Sequence, residues 1–208
     1  MLLACGILSS VFYIAINVIV PPRFPGYDWM SQTVSELSAI GAPTRSLWVP
    51  LGVVYVLLVG AFGVGIISAA RGHRRLLLVG WLMLVYAVLN AYWPPMHLRE
   101  VIAAGGTTLS DTLHLVWGGV ALVFMLVMMW IGGHAFGRGF RMYTWLTIGL
   151  FLVMGFLMGR GAPGIDAGMP TPMLGVWERV NIGAYMVWVA GLAVLLLRRE
   201  RGHEVVTG

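Results

Sequence analysis

Six stretches of this chain are apolar for long enough to cross a bilayer, and that constrains the fold more than anything else in the sequence. A hydrocarbon core about 30 Å thick needs roughly 20 mostly apolar residues in helical form. The runs fall at 2–20, 48–70, 76–93, 113–132, 143–159 and 173–197. In lipid, backbone N–H and C=O groups must be satisfied within the protein, which isolated strands cannot do, so each run is a helix. The expected fold is an all-α polytopic membrane protein: one six-helix transmembrane domain over 1–208. Composition agrees, with 59% apolar residues, 10% charged and a mean hydropathy of +0.87. A soluble domain carries about 25% charged residues.

The few charges fix an orientation, because short arginine-rich loops stay in the cytoplasm. Arg71, Arg74, Arg75, Arg138, Arg141, Arg198, Arg199 and Arg201 share one side with Glu200 and Glu204, a net +6. Arg23, Arg45, Arg99, Arg160 and Arg179 lie on the other side with Asp28, Glu36, Glu100, Asp111, Asp166 and Glu178, a net −1. A multi-pass protein of the plasma (inner) membrane with both termini cytoplasmic is expected. Its partner is then the lipid bilayer, anionic headgroups included, and not nucleic acid. The first run lacks a basic n-region and a small-residue cleavage site, so it is expected to remain as a helix, with Cys5 a small buried hydrophobe.

What the chain lacks restricts its chemistry. All thirteen basic residues are arginine, which removes a retinal or pyridoxal phosphate Schiff base. One cysteine excludes an intrachain disulfide, an iron–sulfur cluster and a cysteine zinc cluster. A transmembrane haem needs two facing histidines, and His114 alone is even partly inside a span, whereas His73, His134 and His203 are expected to be solvated among arginines. Gly155 and Gly159 form a GxxxG step expected to make a close helix contact. Trp29, Trp48, Trp93, Trp145 and Trp177 suit interface belts.

Three outer connections, about 21–47, 94–112 and 160–172, hold most of the polar residues, so a site is expected on that face. In the first, Met30, Val34 and Leu37 form an apolar stripe beside Ser31, Ser35 and Ser38. That pattern predicts a short amphipathic interfacial helix over 28–40, with Thr33 and Glu36 as a capping box and Gly41-Ala42-Pro43 as a stop. Glu36 and the serines are read either as caps and solvated groups or as part of a site. Asp111 and His114, three apart, share a face at the start of the fourth span. Either Asp111 orients His114 as a general base, or Ser110 or Asp111 caps the helix and His114 bonds a loop.

Glu178, Asn181 and Tyr185 descend the sixth span as a polar stripe beside Arg179, with Thr171 as its expected N-cap and Pro172 its first residue. Asn17 and Asn90 lie at similar depth. These residues and His114 either line one outward cavity or serve as interhelical hydrogen-bond glue.

Val34-Ser35-Glu36-Leu37-Ser38 with Gly41-Ala42-Pro43, His114 opening the fourth span, and Glu178-Arg179-Val180 opening the sixth resemble the six-span bacterial and archaeal membrane proteins catalogued as domain of unknown function 998. The likeness covers nearly the whole chain. It implies a six-span fold and recurrent positions at Ser35, Glu36, His114, Glu178 and Arg179; it implies no reaction, and Asp111 is not carried over.

Two functions follow. One is an outward-facing hydrolase or transferase acting on a lipid or amphiphile. There His114 is the base with Asp111, Ser35 or Ser38 is a nucleophile or positions water, and Arg179 holds an anionic group. A divalent-metal version uses His97, Asp111 and His114 with Glu178 or Glu36. The other is a non-catalytic membrane module: a small-molecule binder, a transport element or a partner subunit. The spans show no inverted repeat of the kind transporters use.

Overall fold

The computed structural model describes the backbone of residues 1–207 and the side chains of 1–202. The solvation expected of His203 and the charge of Glu204 fall outside the described side chains. Among the described residues there are eight α-helices: α1 (Cys5–Ile19), α2 (Arg45–Ala69), α3 (Arg74–Ala91), α4 (Arg99–Ala103), α5 (Leu109–Gly133), α6 (Arg138–Gly161), α7 (Pro163–Asp166) and α8 (Leu174–Thr207). Six of them, all but α4 and α7, are long and apolar enough to cross a membrane, as the sequence predicts. The bounds shift modestly. α6 begins at Arg138, five residues before the apolar run, because Arg138 and Arg141 are good helix formers whose stems can reach back along the helix.

The spans pack in chain order as a closed ring: α1 on α2, α2 on α3, α3 on α5, α5 on α6, α6 on α8, and α8 back on α1. α2 and α3 form a hairpin whose turn puts Arg71 and Gly72 at positive φ, 46° and 82°. Their axes come close because Gly63 faces Gly80: a Cβ on either would stand 3.1–3.2 Å from the other's carbonyl oxygen. α8 also touches α2 and α5, so its apolar side fills the middle of the ring. Tyr185, Met186, Trp188, Leu192, Ala193 and Leu196 are buried there against Phe62, Ile66, Met83 and Met128. Trp188 stacks on Tyr185 and Phe140 and donates its indole N–H to Thr144 Oγ1 at 2.9 Å, so its one polar atom is satisfied.

Three details correct the sequence reading. Segment 28–40 is not a continuous helix; it holds a single 3-10 turn, Ser35–Ser38, and its Val34 and Leu37 are buried against the bundle. The GxxxG step gives no close helix contact at Gly159, where a Cβ would meet nothing; Gly155 instead admits Asn181, 3.5 Å from an added Cβ. His73 and His134 are half-buried, and His134 sits edge-on between Trp130 and Trp145.

Candidate functional site

The three long connections share one face, and the first of them, 20–44, is strapped onto the start of α8. α8 begins at Leu174, past the expected N-cap Thr171 and first residue Pro172. A helix start leaves N–H groups without partners. Two of these, from Gly175 and Val176, donate to Met30 O at 2.9 and 3.2 Å. Position 175 must be glycine for this approach, since a Cβ there would collide with Gln32 O and stand 2.6 Å from Trp29 O. One turn later Arg179 Nη1 donates to Trp29 O, Gln32 O and Gly175 O at 2.9–3.0 Å, and Nη2 donates to Tyr27 Oη at 2.5 Å. The guanidinium lies 4.7 Å from the Trp29 ring centroid and 5.6 Å from that of Tyr27. Burial pushes the Tyr27 hydroxyl above the ordinary phenol value, and Arg179 works against that shift. Tyr27 therefore stays a phenol that donates onward to Thr33 O at 2.7 Å. Buried Glu178 accepts from Val34 N and from Ser35 Oγ, the latter at 3.4 Å.

Glu36 is fully buried, which rules out the solvated reading. Its capping role is present, with Thr33 N donating to Oε1 at 2.8 Å and Thr33 Oγ1 at 3.1 Å. Arg99 of α4 grips the same carboxylate in bidentate fashion, Nε to Oε2 at 2.7 Å and Nη2 to Oε1 at 2.6 Å, and Gln32 Nε2 adds a fifth bond at 3.0 Å. Burial opposes the charge of Arg99, but the bonds and charge of Glu36 outweigh it and raise its pKa. Arg99 also reaches Ser31 O and Thr171 Oγ1, so this pair ties all three connections together. Ser38 keeps its hydroxyl on Ser35 O within its own turn.

Of the two readings of Asp111 and His114, the structure carries the cap and the loop bond, and not the dyad. Asp111 caps α5 through Thr108, whose N and Oγ1 both donate to Oδ2 at 2.8 Å, and it binds His97 through the backbone N at 2.6 Å and Nδ1 at 3.0 Å. As the third residue of the helix it points toward its own N-terminus, away from the next turn. Ser110 bonds Pro95 O. His114 Nδ1 lies 2.7 Å from Pro94 O, which only accepts, so Nδ1 carries the proton. Trp93 Nε1 stands edge-on to the imidazole, 2.9 Å from Nδ1 and 3.4 Å from Nε2; with the Nδ1 proton on Pro94 O, only Nε2 keeps a lone pair. Of the four-residue metal set, His97 and Asp111 are paired; among the described residues no group of three or more His, Cys, Asp or Glu side chains is placed to hold a metal.

The polar stripe does not line one cavity. Asn90 Nδ2 donates to Tyr86 O on its own helix. Asn181 Nδ2 bonds Phe151 O of α6 at 2.8 Å, hydrogen-bond glue between spans. Tyr185 points into the core, its hydroxyl 3.9 Å from the sulfurs of Met83 and Met128. Asn17 is different. It lines a cavity of about 160 Å³ between α1 and α8 under the strap, together with Tyr13, Ile14, Val18, Trp29, Val34, Arg179, Ile182, Gly183 and Met186. Two of these side chains hold a buried atom with no hydrogen-bond partner: Asn17 Oδ1 and Arg179 Nε. Ile14 and Val18 are 48% and 69% exposed, so the cavity borders the outer surface of α1. A second hollow, about 350 Å³, lies by Arg160, three prolines and Trp177, but its Thr171 hydroxyl is already bonded to Ser31 O and Arg99.

Tyr27, Gln32, Trp93, Arg99, Thr171 and Gly175 escaped the sequence reading as site residues. Arg99, Tyr27, Gln32, Trp93 and Thr171 act through their side chains and Gly175 through the lack of one; apart from Gln32, four positions from Glu36, each meets a partner far away in the chain, and no spacing marks such pairs.

A family model described as a protein of unknown function (DUF998) matches residues 7–195. No curated protein and no solved structure matches the chain.

Proposed function

We propose that this chain, which belongs to the DUF998 family of proteins of unknown function, is a membrane-embedded binding module that takes a lipid or similar amphiphile into the groove between α1 and α8. The observation that carries this reading is the groove itself. Its walls are apolar side chains from two spans, it borders lipid-facing Ile14 and Val18, and it ends under a strap that brings polar groups to its top. Cavities of about 150 Å³ admit a benzene-sized molecule, so this one has room for a headgroup or a folded stretch of chain. A site with an apolar body and a few fixed polar groups is what orients an amphiphile. The arginine distribution supports placing the strap on the outer side of the membrane.

The hydrolase or transferase reading draws less support. It asks for a free imidazole nitrogen on His114, whereas Nδ1 is on Pro94 O and the Trp93 indole N–H lies against both ring nitrogens. It also asks for an available Glu36, whose oxygens hold five bonds.

Gly183 provides the test. It lines the groove, and a Cβ there meets nothing within 4 Å. Gly183→Leu should fill the groove without displacing a neighbour. We expect the full chain purified in detergent to retain lipid detectable by native mass spectrometry, and Gly183→Leu to retain at least tenfold less while melting no lower. Equal retention by both proteins would overturn the assignment.

A further inference from the structure

We infer that the hollow of about 350 Å³ between the end of α6 and the start of α8 is a second site, which holds the phosphodiester of an anionic phospholipid such as phosphatidylglycerol through Arg160. It shares no lining residue with the groove between α1 and α8 and does not rest on that reading.

The arginines of the loop face point to it. Five lie there, and four are engaged by the protein itself. Arg23 donates to Ile19 O, Arg45 to Ser38 O, Arg99 to the Glu36 carboxylate and Arg179 to three main-chain carbonyls. Arg160 is in the last turn of α6, where an arginine commonly serves the helix's own carbonyls. It does not do so here. Among the described residues, its side chain makes no hydrogen bond, and the ion pairs belong to other residues. It is exposed and lines the hollow, so its guanidinium is open to a ligand.

The walls define the rest of the ligand. Arg160 is the one charged residue lining the hollow, and the Thr171 hydroxyl is already bonded to Ser31 O and Arg99. The remaining wall is apolar, chiefly Pro163, Pro170, Pro172, Leu174 and Trp177. Proline holds its φ fixed, so three of these positions are set before a ligand arrives. One cation beside an apolar wall selects one negative charge on an apolar body. Depth decides among anions. α6 ends at Gly161 and α8 begins at Leu174, so the hollow lies at the ends of two spans, the level at which a leaflet carries its phosphates. The guanidinium fork matches two phosphate oxygens. A choline or ethanolamine headgroup adds a positive charge for which the lining has no carboxylate, Asp166 of α7 not being part of it.

The test is photo-cross-linking of the full-length protein in a neutral detergent. Phosphatidylglycerol and phosphatidylcholine carry the same diazirine-labelled acyl chain, and adducts are mapped by peptide mass spectrometry. Mapping is needed because the arginines of the short turns also attract anionic lipid. Phosphatidylglycerol should label 160–177 about fivefold more than phosphatidylcholine at equal concentration. Arg160→Gln should cut that labelling about tenfold, the effect of losing a charge-assisted hydrogen bond. Arg160→Lys should keep part of it, and Gly183→Leu all of it. Excess lysophosphatidylglycerol should compete, and inorganic phosphate or oleate at the same concentration should not. Equal labelling by the two lipids, or undiminished labelling of a folded Arg160→Gln, overturns the inference. Competition by phosphate or oleate as strong as that by the lysolipid overturns it too, in favour of a free phosphate or a fatty acid. If Arg160→Gln does not fold, the ratio of the two lipids on the unaltered chain decides. Loss of labelling in Gly183→Leu overturns the separateness of the two sites.

Discussion

Arg99 and Glu36 show what one charge pair does when water is excluded. Glu36 is fully buried and relies on Arg99 for its counter-charge, while Arg99 keeps 21% of its side chain exposed. Removing one partner of a buried pair leaves the other unpaired, which costs far more than losing a surface ion pair. Arg99→Leu is expected to destabilise the protein by about 3 kcal/mol and Arg99→Lys by less, since lysine restores the charge without the fork; chemical denaturation in detergent measures both. A loss under about 0.5 kcal/mol for Arg99→Leu would mean the pair behaves as a surface bridge. At this scale the sequence was half legible. Glu36, Glu178 and Arg179 are indeed the polar residues gathered at the outer helix ends. Their partners were not readable, because backbone carbonyls such as Trp29 O, Gln32 O and Ser31 O can be supplied by any residue. Asp111 and His114 share a helix face as their spacing says, yet sharing a face near an N-terminus does not make a contact when the carboxylate has unpaired N–H groups closer to hand.

The strap over residues 27–38 and the first turn of α8 act as one unit, since each supplies what the other lacks. The first N–H groups of α8 donate to Met30 O, and the strap in turn is held by Arg179 and Glu178. The amphipathic stripe of Met30, Val34 and Leu37 predicts a helix because it has the right period. The chain spends Met30 O and Val34 N on α8 and folds to a single 3-10 turn. Of the stripe, Val34 and Leu37 turn inward and Met30 stays 49% exposed; periodicity does not report where the backbone hydrogen bonds go. Gly175→Ala should therefore destabilise by about 1–3 kcal/mol, the usual effect of inserting a carbon into packed space. It should also speed limited proteolysis within 27–38, whereas Gly183→Ala, with open space around its Cβ, should be neutral or slightly stabilising. Equal protease resistance of the two variants would show that the strap does not depend on close approach at α8.

For the whole molecule, the six spans were legible because apolar length is a property of the chain alone, although α6 starts five residues before its apolar run and α8 continues ten residues past its own. Their order around the ring was not, since nothing in a run of valines and leucines names its neighbour. Orientation remains the reading of the arginines, and it makes a direct prediction. In a Cys5→Ser background, Thr107→Cys on the loop face should react with a membrane-impermeant maleimide on intact cells. Gly137→Cys, on the face of the short turns, should react only after lysis. The opposite pattern would invert the topology.

Packing in chain order around a closed ring sets a calendar for assembly. As the spans emerge one after another, each finds its neighbour already in place, until α8 arrives and meets the first. The groove lies at that seam, between the oldest and the youngest helix, and its strap waits through the synthesis of more than a hundred residues for the turn of α8 that it binds. A chain cut short just before α8 would have five spans in the membrane and no groove, so the groove arrives in a single step, as the last act of folding.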